Sequence, residues 1–167
     1  SMSQGMMRIL VTTTLTVMTL LLLPAPARAD LTAFWGFSPS PVNHQARGFS
    51  IGANKTLLGA EFEWANTTEK TVAPTAPGLK TYMFNGMLIT PGRKTQVYLT
   101  AGWGRYRETL GVAAQSGFTT SVGGGLMIKI AKPLKLRLDY RVFSLRGAPG
   151  PIVKSPTRFY AGLTLKI

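Results

Sequence analysis

Residues 134–141, LKLRLDYR, alternate without a break. Leu134, Leu136, Leu138 and Tyr140 occupy one parity; Lys135, Arg137, Asp139 and Arg141 occupy the other. Successive side chains of a strand point to opposite faces, so this segment is a strand with one apolar and one charged face. Two proteins can be built from it. With the apolar face inward it belongs to a soluble β protein with a charged coat. With the charged face inward, its outer solvent is lipid.

The chain has 167 residues, enough for one ordinary domain. It carries 19 Lys and Arg against six Asp and Glu, a formal net charge of +13. It has no cysteine, which excludes a disulfide framework, a Cys-based metal site and a thiol nucleophile. Charged residues make up only 15% and hydrophobic ones 45%, a sparse charge coat for a soluble basic protein. Part of this bias sits in the first residues. Met7-Arg8 is a short basic start, residues 9–23 are uncharged and apolar, and PAPARA (24–29) ends in an A-x-A cleavage site. That is a secretory leader in three parts. Residues 1–29 are therefore expected to be an N-terminal extension and signal peptide, with a mature chain from Asp30. No later segment approaches the ~20 consecutive apolar residues of a membrane-spanning helix.

Beyond the leader the chain divides into eight strand-like runs, near residues 31–38, 47–55, 58–64, 80–90, 96–107, 118–130, 134–145 and 158–167. The links alternate. Those around 54–57, 91–95 (PGRKT) and 131–133 (AKP) are tight; SPSPVNHQA, ANTTEKTVAPTAPGL, ETLGVAAQSG and RGAPGPIVKSPT are longer. A meander through a membrane sorts its links in this way, with turns on one side and loops on the other.

The other runs repeat the alternation. Leu58, Ala60, Phe62 and Trp64 oppose Gly59, Glu61 and Glu63; Phe159, Ala161, Leu163 and Leu165 oppose Arg158, Tyr160, Gly162 and Thr164. The run TYMFNGMLI is mixed. The second face is rich in Gly, Ser, Thr and Tyr and poor in charge, an odd soluble exterior. As the lumen of an eight-stranded barrel it makes sense, because such a lumen is just wide enough for side chains to fill. Gly102, Gly104, Gly123, Gly125 and Gly162 would leave room for long neighbours. Glu61 and Glu63 would pair with Lys129, Lys135, Arg137 or Arg141, and Asp139 would join them, since a buried charge needs a partner. Trp35, Trp64, Trp103, Phe118 and Phe159 all fall beside the longer loops, as a one-sided aromatic girdle would.

The leader, the eight alternating runs and the terminal FYAGLTLKI resemble the small eight-stranded outer-membrane barrels of the OmpA/OmpX type. The resemblance covers residues 30–167. Members of that family end in a strand with alternate apolar residues and a final aromatic, read by the barrel-assembly machinery. Phe159, Ala161, Leu163 and Leu165 match that pattern, and Ile167 stands where the aromatic usually does. The resemblance implies an all-β, antiparallel up-and-down transmembrane barrel in a bacterial outer membrane, porin-like in build. It further implies contact with outer-membrane lipid and lipopolysaccharide, insertion by the assembly machinery, and a monomer.

Candidate chemistry is sparse. The single histidine, His44, has Asn43 and Gln45 beside it and no acid close in sequence to orient its ring. Glu61 and Glu63 suit a paired charge cluster better than general acid/base work. No catalytic, metal-ligating or cofactor-binding set is expected. The basic excess would suit nucleic acid, but export argues against that partner. Arg105, Arg107, Arg146, Lys154 and Arg158 flank the loops, where lipopolysaccharide phosphates would lie, and are the candidate contacts. The expected role is structural: envelope integrity, or adhesion and interaction through the loops, with a lumen plugged by paired polar side chains. The alternatives are a secreted lipocalin-like ligand-binding barrel and a lipid A-modifying barrel enzyme.

Overall fold

The computed structural model describes residues 28–39, 42–71, 75–147, 150–151 and 153–167. The leader lies almost wholly outside these residues. Eight strands follow one another: β1 (Arg28–Ser38), β2 (His44–Lys55), β3 (Leu58–Thr67), β4 (Gly78–Ile89), β5 (Thr95–Leu110), β6 (Ala113–Ala131), β7 (Leu134–Arg146) and β8 (Thr157–Lys166). Each pairs antiparallel with the next, and β1 pairs with β8, so the sheet closes with no free edge. β1 begins two residues ahead of the expected mature start, with Arg28 and Ala29 opposite Asn54 and Ala53.

The alternation becomes an inside-out burial pattern. In β7, Arg137, Asp139 and Arg141 are buried, while Leu134 and Tyr140 are exposed. The same holds around the barrel. Trp35 (63% exposed), Leu99 (63%) and Val122 (61%) stand on the outside, and Glu63 and Arg141 are fully buried. A belt of Leu, Ile, Val and Phe around a closed sheet has lipid as its solvent. This overturns the lipocalin-like alternative, which needs the apolar face around the lumen.

One link departs from the expected sorting. ETLGVAAQSG is not a long loop. β5 and β6 continue their ladder through Glu108↔Gln115, Thr109↔Ala114 and Leu110↔Ala113 and turn at Gly111-Val112. Gly111 has a φ of 60°, the left-handed conformation such a two-residue turn needs. The two strands have 16 and 19 residues, and ~9–11 cross a bilayer, so the hairpin projects beyond the barrel's loop end. Outside lipid a strand needs no apolar face, which is why the polar segment looked like a loop.

The lumen is layered. Met87, Ile89, Tyr98 and Met127 pack at the turn end, and Met83, Tyr106, Phe143 and Leu145 at the loop end. β4 contributes Met83, Met87 and Ile89 to these layers, which explains its mixed sequence pattern.

Candidate functional site

Between the two apolar layers lies a band of charge. Arg137, on β7, donates from Nη1 to Glu61 Oε2 at 2.6 Å and from Nη2 to Glu61 Oε1 at 3.0 Å, a two-pronged pair across the lumen. Arg141 donates from Nη2 to Glu61 Oε1 (2.7 Å) and from Nε to Asp139 Oδ1 (2.8 Å). Its Nη1 lies 2.8 Å from Glu63 Oε2. Arg158 donates to the other oxygen of Glu63. Tyr98 donates to Asp139 and accepts from Arg137 Nε. Three carboxylates thus face three guanidiniums, and the band is neutral.

The register shows how the band holds together. Arg141 and Arg158 are direct ladder partners, an arrangement that repels on its own. Glu63, reaching from β3, binds both and removes the repulsion. Aromatic faces take the remaining cationic surface: Arg158 Cζ lies 4.7 Å from the Phe143 ring centre and Arg137 Cζ 4.8 Å from that of Tyr98. Two glycines make the space. A Cβ on Gly123 would meet Arg141 Cγ at 2.8 Å, and one on Gly125 would meet the Tyr98 hydroxyl at 2.6 Å.

Of the residues expected in the lumen, Glu61, Glu63, Arg137, Asp139 and Arg141 meet in this band. Lys129 and Lys135 do not. Lys129 is exposed at the turn end, and the half-buried Lys135 donates to Gln96 Oε1 at 2.8 Å. Arg158 was expected at the loops as a lipopolysaccharide contact, yet it is buried inside and bonded to Glu63. Its parity with Tyr160 pointed inward; its depth was hidden. Tyr160 has the lumen parity its sequence predicts and accepts from Arg141 Nη2 at 3.3 Å. Tyr98 and Asn85 were missed as members of the band, because nothing in their neighbours' sequence marks them as partners of remote charges.

At the loop end the girdle residues stand outside. Phe37 and Phe159 approach with ring centres 5.6 Å apart, Phe84 and Trp103 at 6.2 Å, and Trp103 and Phe118 at 6.3 Å. Trp35 is exposed, and Trp64 is half-buried against Phe49. Arg105, Arg107, Arg146 and Lys154 are exposed. Lys80 was missed. It is exposed and lies directly opposite Arg107, so two cations share one spot on the outer face. They line a cleft of about 620 Å³ with Tyr82, Asn66, Thr109 and one acid, Glu69. Glu69 accepts a bond from the Gly111 amide.

His44 is buried and paired in register with Ser38, a proximity the sequence did not reveal. The two side chains are not bonded to each other. His44 Nδ1 donates to the Thr68 carbonyl at 2.6 Å, and Ser38 donates to the Thr157 carbonyl at 2.6 Å.

No family model and no curated protein matches the chain. Solved structures do. The Neisserial surface protein A is similar with a TM-score of 0.68 at 16% identity, over 86% of this chain and 98% of that one. Ail, the attachment invasion locus protein of Yersinia pestis, in complex with the heparin analogue sucrose octasulfate, gives 0.55 at 14% identity, over 86% and 100%. The outer membrane enzyme PagL gives 0.55 at 12%, over 83% and 99%. With a closed eight-stranded meander, an apolar exterior and a filled polar lumen, the chain has the fold of the small eight-stranded outer-membrane β-barrels.

Proposed function

We propose that this protein resides in a bacterial outer membrane as a sealed, non-catalytic barrel. Its work is done at its loop end: anchoring in lipopolysaccharide, and envelope integrity or adhesion through the loops and the projecting β5–β6 hairpin. The observation that carries this reading is the neutral band of six buried charges across the lumen. A water-filled pore needs open cross-section, and here guanidiniums bonded on several sides occupy it. The fold alone does not choose a function, since an adhesion-named protein and an enzyme both share it.

Three observations favour the interactive reading. Lys80, Arg105 and Arg107 crowd cations onto the outer face beside the aromatic girdle, where the phosphates of lipopolysaccharide lie. The structurally similar Ail holds a polyanion. Ser38 Oγ donates to the Thr157 carbonyl and not to the His44 ring, so the two are not joined as nucleophile and base.

The test is conductance across planar lipid bilayers containing the refolded barrel. The expected record shows no stable open level at moderate voltage. A reproducible ohmic step per inserted molecule would overturn the sealed-lumen reading.

A further inference from the structure

The turn end of the lumen carries charge of a different kind. Lys129 and Lys135 are direct partners in the β6–β7 ladder, and both have the parity of the lumen face. Like charges placed directly opposite repel. Lys166 of β8 and Arg28 of β1, also on lumen-side parity, close on the same place. Arg93 and Lys132 reach it from the two neighbouring tight turns. Together the six line one cavity of about 520 Å³.

Among the described residues one acid, Asp30, acts on this group, through space on Lys166 and Lys135. No acidic side chain lines the cavity, and among the described residues none of the six joins an ion pair. Lys135 has a neutral partner, Gln96. Asp30 is the ladder partner of Lys166, but its carboxylate accepts from Asn54 and lines a separate cleft. Ile167 also lines the cavity, so even a terminal carboxylate there offsets one charge of the six. Arg28 belongs to the expected leader, and without it five cations remain.

The neutral band above shows what this chain does when it means to seal a charge: it supplies a carboxylate for each guanidinium. The basin below has been left positive. Six cations around a small volume call for an anion with several charges in little space. Phosphate groups supply up to nearly two charges each, with oxygens that accept from many donors at once. Lumen-side parity turns Lys129 and Lys135 away from the lipid, so the anion arrives from water. We propose that this basin binds a compact, soluble, multivalent phosphate from the aqueous compartment that the tight turns face.

The experiment is calorimetric titration of sodium tripolyphosphate into the chain refolded in nanodiscs of zwitterionic lipid. One saturable site is expected. Lys129→Gln with Lys135→Gln should weaken it by roughly tenfold or more, the scale of lost charge-assisted contacts. The same positions changed to Arg should keep it, as should Arg105→Gln with Arg107→Gln at the opposite end. A heat-dependent gel shift confirms that each variant has folded. Absence of a saturable site, or unchanged affinity in the folded Lys129→Gln/Lys135→Gln variant, would overturn the proposal. So would loss of binding in phosphatidylglycerol nanodiscs at a salt concentration that screens their surface charge and leaves binding intact in the zwitterionic ones, because headgroups would then occupy the basin.

Discussion

Arg141 and Glu61 stand 80 residues apart in the chain and 2.7 Å apart in the lumen. β7 and β3 lie four strands from each other around the barrel, so this pair spans its interior. Ladder bonds join only neighbouring strands. A cross-lumen pair instead ties opposite walls, and it forms only when all eight strands are in register. Buried ionic groups contribute specificity of this kind more readily than net stability, because removing them from water costs almost what their attraction returns.

Arg141→Leu should therefore destabilise the barrel by about 3–5 kcal/mol, since it strands Glu61, Glu63 and Asp139 with fewer partners. Adding Glu63→Leu should cost much less than the sum of the two single changes. The measurement is a double-mutant cycle by urea unfolding in lipid vesicles. Strict additivity would mean that the pair is not coupled, and the band could not be a unit.

Packing around the band is equally specific. Gly125→Ala should cost about 1–3 kcal/mol, because the new methyl meets the Tyr98 hydroxyl and the Leu138 carbonyl. Gly86→Ala is the matched control. Gly86 faces lipid, and its nearest obstacle is the Ala101 carbonyl at 3.8 Å, so the change should be close to neutral. Unfolding midpoints of the two variants provide the comparison, and equal midpoints would refute the packing argument.

A charge on the outer face tests the solvent directly. Leu99 is exposed and lies midway along the transmembrane part of β5. Leu99→Arg should cost about 2–4 kcal/mol in a bilayer. Val112→Arg, at the tip of the projecting hairpin, should be neutral within about 0.5 kcal/mol. On a soluble barrel both changes would be harmless, so vesicle-based unfolding separates the two cases.

Much of this was legible from parity. LKLRLDYR places Arg137, Asp139 and Arg141 inside because the period of a strand is two, and no later contact can change that. Depth was not legible. Arg158 and Lys129 both have lumen parity, yet one is buried in the charge band and the other is exposed at the turn end. The stagger between strands sets how far along the axis each residue falls, and stagger is fixed by pairing across the sheet, not by any single strand. The same limit hid Lys80. Its opposition to Arg107 is a property of the β4–β5 register, which no window of sequence contains.

That opposition yields the last prediction. Two cations directly opposite on one face destabilise a ladder by about 0.2–1 kcal/mol. In detergent free of lipopolysaccharide, Lys80→Gln should therefore stabilise the barrel by a few tenths of a kcal/mol. In an outer-membrane lipid mixture the sign should reverse. A lipopolysaccharide phosphate between Lys80 and Arg107 would turn the repulsion into two charge-assisted hydrogen bonds, each contributing about 1.5–3 kcal/mol, so losing one of them outweighs the relief. Thermal unfolding of wild type and Lys80→Gln in the two media measures the crossing. A variant more stable in both would show that no anion bridges the pair, and would remove these cations from the lipopolysaccharide-binding surface.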